Sequence, residues 1–422
     1  MATYFIGVDF GTIHTKACVR ENSEEEAAPV IVNENASGAE RYLWPSADAE
    51  WSEDSPKVIL CREHDIAPER ENRALNAAAA AVTHCIRRAL LQIFDSKCEI
   101  IVQLGLPTRE GITDELAQMR YELILNYAFD RINDSRLRQG KPLLDERLAA
   151  LALLHRARFE FNNEPLMVID GGGWTTHASL LRWVSWPEAG VSLHGSETVM
   201  HGVQDVVRQI ARSLRLNERQ GERVLHDVIA YAYRSCKEVE GLNLQLASSA
   251  AQSAEIAASC RREWGLDDRE AIRRVQHVLD ELKSYVGHRR LKEAWETAWR
   301  GGWEASPGQR YYQRYRLFLL GGASRIGRTQ ASGPHDPIAR RMQEFQKSRT
   351  VPFTEIVYPE LNPQMWTVFK PRPEPEAIPY LFVAGGYTIP LPDWPEQIRR
   401  EVIPHAKPPE RPHYHNPESE PG

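Results

Sequence analysis

Short apolar runs that end in glycine recur along this chain, and blocks with helical spacing separate them. Tyr4 to Val8 is the first such run. With Thr15 to Val19 it flanks a glycine turn as the arms of a hairpin, and Pro29 to Val32 reads as a third strand beside them. Residues 37–68 are rich in loop formers. From Ala74 to Phe94 the positions of Ala78, Val82, Cys85, Ile86, Leu90 and Ile93 follow one face of a helix. Glu99 to Leu106 returns to strand and stops at Pro107. Asp114 to Ile132 and Leu144 to Arg156 read as helices, and Leu166 to Ile169 with Ala178 to Val184 as a second pair of strands. Residues 202–300 are mainly helical in pattern, most clearly from Asp268 to Trp299, where Ile272, Val275, Leu279, Leu282 and Val286 keep the helical period. Two further apolar runs, Leu317 to Leu320 and Tyr380 to Ala384, precede the glycine pairs Gly321-Gly322 and Gly385-Gly386 and read as strands.

Strands that alternate with helical blocks predict an α/β architecture, with the ligand at the carboxyl ends of the strands. A length of 422 residues suits two lobes better than one core. The expected division is a first lobe over 1–165, with a subdomain insertion at about 37–98, and a second over 166–390. The second carries a helical subdomain at about 202–310 and a proline-rich surface insertion at about 328–378; a Pro-rich tail over 391–422 is expected to be disordered at its end.

Composition narrows the function classes. The chain is 42% hydrophobic and 26% charged with a net charge of −6, which gives no electrostatic footprint for nucleic acid. No run of apolar residues is long enough to cross a membrane, and the first residues lack a signal-peptide pattern, so a cytoplasmic protein is expected. The six cysteines are scattered without a C-x-x-C pair, which argues against a zinc ribbon or redox motif.

Two of the glycine turns carry chemistry. Tyr4-Phe5-Ile6-Gly7-Val8-Asp9-Phe10-Gly11-Thr12 and Leu166-Met167-Val168-Ile169-Asp170-Gly171-Gly172-Gly173 share one grammar. A buried strand delivers a carboxylate, and glycine follows so that backbone N–H groups can close around an anion. Each carboxylate is placed to hold the hydrated metal that accompanies phosphates, which makes Asp9 and Asp170 candidate Mg2+ ligands.

With Leu319-Leu320-Gly321-Gly322-Ala323-Ser324-Arg325-Ile326 as a third motif, the chain over roughly residues 3–390 resembles the actin-like ATPase superfamily. That family includes actin, the DnaK-type (Hsp70-like) chaperones, the bacterial actins and the sugar kinases. The resemblance implies two ribonuclease-H-like lobes around a cleft that binds Mg-ATP. It places Gly11, Thr12, Ile13, Gly172 and Gly173 at the phosphates, and Gly321, Gly322, Ser324 and Arg325 at the adenosine. Lys16 is similar to the lysine that actins set against the phosphates, and Thr176-His177 resembles the actin form of the second motif. Asp145-Glu146-Arg147-Leu148-Ala149-Ala150 resembles the chaperone element whose glutamate orients the attacking water. Glu146, Asp170 and His177 are therefore the candidate catalytic residues.

Three departures bear on turnover. Trp174 stands where the second motif normally has glycine, Arg147 stands for the family proline, and no equivalent of the chaperones' catalytic lysine is evident between residues 55 and 100. Little sequence follows Gly386, so the nucleotide-binding unit is expected without a peptide-binding domain. The expectation is a slow Mg-dependent ATPase that acts as a nucleotide-controlled switch for a protein partner or self-association. A catalytically inactive scaffold and a filament-forming bacterial-type actin are the alternatives. A sugar kinase is disfavoured by Asp-Gly-Gly-Gly-Trp-Thr-Thr-His.

Overall fold

The computed structural model describes residues 2–47, 55–62, 65–106, 114–140, 144–161, 165–173, 176–184, 190–199, 315–321 and 353–394, with single positions at 208, 211, 212 and 217. These residues form a mixed α/β structure with two mixed sheets. Most of the helical block at 202–300 and the segment 391–422 beyond Trp394 lie outside them.

The first sheet starts from the hairpin of β1 (Thr3–Phe10) and β2 (His14–Glu21). Outside β2 lie β3 (Ala28–Pro29) and β4 (Trp44–Pro45), and β5 (Glu99–Leu106) runs parallel to β1. Two short strands, β6 (Leu137–Gln139) and β7 (Leu144–Asp145), complete it parallel to β5. Helices α1 (Pro56–Arg62) and α2 (Pro68–Leu90) precede β5, and α3 (Asp114–Ile132) follows it. Ile6, Val8 and Phe10 of β1 share a core with Ala78, Val82, Cys85 and Ile86 of α2 and Tyr121, Ile124 and Leu125 of α3.

Helix α4 (Glu146–Arg156) leads into the second sheet. Its strands are β8 (Pro165–Gly171), β9 (Thr176–Val184), β10 (Gly190–Val199), β11 (Tyr315–Leu320) and β12 (Phe353–Val357). One turn of helix, α5 (Pro363–Trp366), then precedes α6 (Ile378–Tyr387).

The two sheets repeat one topology. Their central orders are β3-β2-β1-β5-β6 and β10-β9-β8-β11-β12. In both, the first three strands pair antiparallel and the last three parallel. The hairpins also match in register: Phe10 faces Thr15 as Gly171 faces Thr176, and Asp9 faces Lys16 as Asp170 faces His177.

Helices α4 and α6 lie between these sheets. One core cluster joins Ala149 to Leu154 of α4, Leu381 to Ala384 of α6, Leu166 and Val168 of β8, and Phe318 and Leu320 of β11. Against the first sheet, α6 seats on Gly7, where a Cβ would strike the Ala384 carbonyl, and on Gly105, where it would strike the Tyr387 ring. Arg20, almost fully buried, donates from Nε and Nη2 to the Thr388 carbonyl at 3.0 and 2.8 Å and fastens the end of α6 to β2.

The Tyr380 to Ala384 run, expected as a strand, is therefore the interior of α6. An apolar stretch buried on every side has no periodicity to separate helix from strand. Its glycines are not a turn: Gly386 lies against the Ala149 backbone and Gly385 against Leu153 and Phe369, so they let two helices approach. Other elements fall close to expectation. The helix over Asp114–Ile132 and the strand over Glu99–Leu106 have the expected bounds. α2 begins earlier than Ala74, at Pro68, because its first turn carries charge rather than an apolar stripe; Pro68 at the start and Glu69 and Glu71 in that turn are the features that open a helix. The loop-rich stretch contains α1, and the described part of the proline-rich segment is internal: β12 pairs with β11, and Met365, Val368 and Phe369 are buried in the core.

Candidate functional site

The β1–β2 turn is short, and its geometry follows from its bonds. Gly11 N–H donates to the His14 carbonyl at 3.1 Å. Three successive carbonyls of the turn are occupied from outside. Ser46 Oγ donates to Gly11 O at 2.7 Å, Ser55 Oγ donates to Thr12 O, and Ser46 N–H donates to Ile13 O at 2.7 Å. With its carbonyls held by serines, the turn has the polarity that an anion-binding concavity needs. Ser46 and Ser55 sit in the loop-rich stretch, where no sequence pattern shows what they reach.

Asp9 and Lys16 face each other across the hairpin, and their ion pair follows directly from the register: Lys16 Nζ to Asp9 Oδ2 is 2.7 Å, with both side chains about a tenth exposed. The second turn abuts the first. A Cβ on Gly173 would strike the Ile13 side chain and lie 2.9 Å from Thr12 Oγ1. At the end of β11, Gly321 has φ +73°, and a Cβ there would lie 2.5 Å from Asp170 Oδ1 and clash with the Gly171 carbonyl; this position requires glycine.

Glu146 opens α4 at the end of β7 and meets Lys57 of α1, Nζ to Oε1 2.5 Å, with side chains 11% and 14% exposed. Lys57 was missed by sequence reasoning, which found no lysine of this kind between residues 55 and 100. The available signal was Ser55-Pro56-Lys57, a serine and proline where a helix can start. The helix is too short to show a period.

Asp9, Lys16, Lys57, Glu146 and Asp170 form one electrostatic group. Burial raises the Glu146 carboxyl well above the usual carboxylate range; Lys57 opposes this, while Asp9 and Asp170 add to it. Asp170 is raised by burial and by Asp9, against the pull of Lys16 and Lys57. For Lys57, burial works against the charge, but Glu146 and Asp9 outweigh it and hold the ammonium protonated.

The remaining expectations divide. His177 is buried on β9 beside Asp170 in register, and its Nε2 meets Ser179 Oγ at 2.6 Å; Arg147 Nη1 donates to the same oxygen at 3.4 Å. Arg147 thus ties α4 to β9, and His177 joins that brace. Trp174, Gly322, Ser324 and Arg325 lie outside the described residues.

The donor set decides which metal would fit. Among the described residues, no three His, Cys, Asp or Glu side chains converge as a direct ligand cage. Three buried, mutually repelling carboxylates would suit instead a cation that keeps most of its water, as Mg2+ does. Cys18, Cys61 and Cys85 are buried thiols with raised pKa values and carry no reactive signature. No helix among the described residues is long and apolar enough to cross a membrane. No protein-family model matches the chain, and no curated protein is significantly similar to it.

Proposed function

We propose that this chain is a nucleotide-binding protein with the two-lobed architecture of the actin-like ATPases, and that it binds and slowly hydrolyses Mg-ATP between the two hairpin turns. The observation that carries this is the meeting of Asp9, Lys16, Lys57, Glu146 and Asp170 where two topologically matched sheets bring their hairpin turns together. The matched strand orders support a duplicated ribonuclease-H-like core.

Residues 12–13 and 172–173 would offer backbone N–H groups to the phosphates, Gly11 would shape the turn through its bond to His14, and Lys16 would lend a mobile point charge to the outer phosphates. Asp9 and Asp170 would hold Mg2+ through its water shell, and the ion would supply charge neutralisation at the phosphate oxygens. Glu146, once ionised, accepts a hydrogen bond from the attacking water and orients it. Lys57, beside it, stabilises charge that develops on the transferred phosphoryl group; phosphoryl transfer needs little beyond such positioning and charge stabilisation. His177 serves as a support through Ser179 rather than as a base. Lys57 also removes one ground for an inactive scaffold. Lobes that close on nucleotide and open after hydrolysis would give a protein partner two states to distinguish.

Single-turnover phosphate release from bound ATP tests the reaction. Release is expected from the native chain in Mg2+ and is expected to be lost in Asp170→Asn. Release that survives unchanged in that variant would overturn the assignment.

A further inference from the structure

Helix α1 is only seven residues long, yet it carries Lys57. So short a helix has no stability of its own, so its place is set by what holds its ends. Its start is held by Ser55, whose hydroxyl donates to the Thr12 carbonyl. Its end is held from α3. Arg120 is 1% exposed; its Nη1 donates to the Leu60 carbonyl at 2.8 Å, and its Nε to Glu71 Oε1 of α2 at 2.6 Å. Next to it, the Tyr121 hydroxyl meets Cys61 Sγ at 3.4 Å. Leu60 and Cys61 follow Lys57 by three and four residues, so both anchors act on the turn directly beyond the lysine.

We propose that Arg120 is a positioning residue that fixes where Lys57 points. It closes a carbonyl at the end of α1 that the helix leaves without a partner, and its charge suits that negative end. A buried guanidinium is costly unless its fork is well used, and here the fork joins α1, α2 and α3 at one point. A lysine in its place keeps the charge but cannot span both acceptors. Only the effect on turnover rests on the hydrolysis proposed above; the orientation of Lys57 is independent of it.

The experiment compares the native full-length chain with Arg120→Lys by brief acetic anhydride labelling, with mass spectrometry of the peptides bearing Lys57, Lys16 and the exposed Lys370. Labelling of Lys57 relative to Lys370 is expected to rise about tenfold or more, the worth of one charged hydrogen bond, with Lys16 unchanged. Glu71→Gln, a milder change, is expected to move Lys57 in the same direction by less and guards against a misfolded Arg120→Lys. In single-turnover phosphate release, Arg120→Lys is expected to slow the step by about 10- to 100-fold while the Mg-ATP affinity holds within about threefold. Adding Lys57→Met is expected to slow it no further. Unchanged Lys57 labelling in both variants, or an equal rise at Lys16, would overturn the proposal. A native chain that releases no phosphate would instead overturn the hydrolysis assignment, and the Lys57 to Lys16 ratio would still decide the role of Arg120.

Discussion

The two hairpins at the centre of this protein are alike in backbone and unlike in charge. Both present an aspartate one position before the last strand pair, and both turn back so that the residue seven later faces it. In the first that residue is Lys16, which pairs with Asp9 inside the same hairpin. In the second it is His177, which is engaged with Ser179, and Asp170 feels positive charge from Lys16 of β2 and Lys57 of α1. The first half is electrostatically self-sufficient and the second is not. The matched hairpins thus share a geometry while the lysines lie on one side, and an added cation would relieve both Glu146 and Asp170, the carboxylates raised by burial.

The strongest break of that arrangement is Lys57→Met. It leaves the buried Glu146 carboxylate without its counter-charge, and the stability lost in denaturant unfolding is expected to grow toward about 3–5 kcal/mol as pH rises through the raised Glu146 range. Below that range Glu146 holds its proton and the loss should be smaller, and Lys57→Met with Glu146→Gln should recover most of it. A smaller effect separates the two hairpins: Lys16→Met is expected to weaken Mg-ATP binding about tenfold or more, because it removes a charge-assisted hydrogen bond to phosphate. His177→Gln, which can keep a bond to Ser179, is expected to change binding by less than about threefold. Equal effects would show that the hairpins are functionally symmetric.

Much of this site was legible because strand, carboxylate and glycine occur together in sequence. Asp9, Lys16 and Asp170 lie on long strands whose apolar runs fix the register, so their meeting follows from local pattern. Glu146 was singled out by the resemblance of Asp145-Glu146-Arg147-Leu148-Ala149-Ala150 to the chaperone element. Lys57, Ser46 and Ser55 were not legible, because they come from a loop-rich stretch whose single short helix has no period, and only the fold shows what they reach. The misread α6 has a different cause: glycine marks a turn in one setting and a close helix approach in another, and the difference lies in Ala149, a residue far away in the chain. The matched topology of the two sheets left only the shared strand-carboxylate-glycine grammar in the sequence, and its extent is visible in the strand order.

The subtlest expected effect is on pH dependence. Glu146 and Asp170 are raised by burial and by neighbouring carboxylates, so the folded chain keeps their protons to higher pH than the unfolded chain does. Their contribution to stability is full below the unfolded carboxylate pKa of about 4 and is lost as pH rises through the folded values. Denaturant midpoints measured across that range should fall with pH in the native chain and fall less in Asp170→Asn.

Calorimetric titration of the native chain with ATP, with and without Mg2+ and in two buffers of different ionisation enthalpy, tests the central claim most directly. Binding in the micromolar range or tighter is expected, strengthened by Mg2+ and accompanied by a buffer-dependent heat, because an added cation opposes the burial that raises the Glu146 and Asp170 carboxyls. Absence of binding in Mg2+, or binding that neither Mg2+ nor Asp9→Ala alters, would contradict the account.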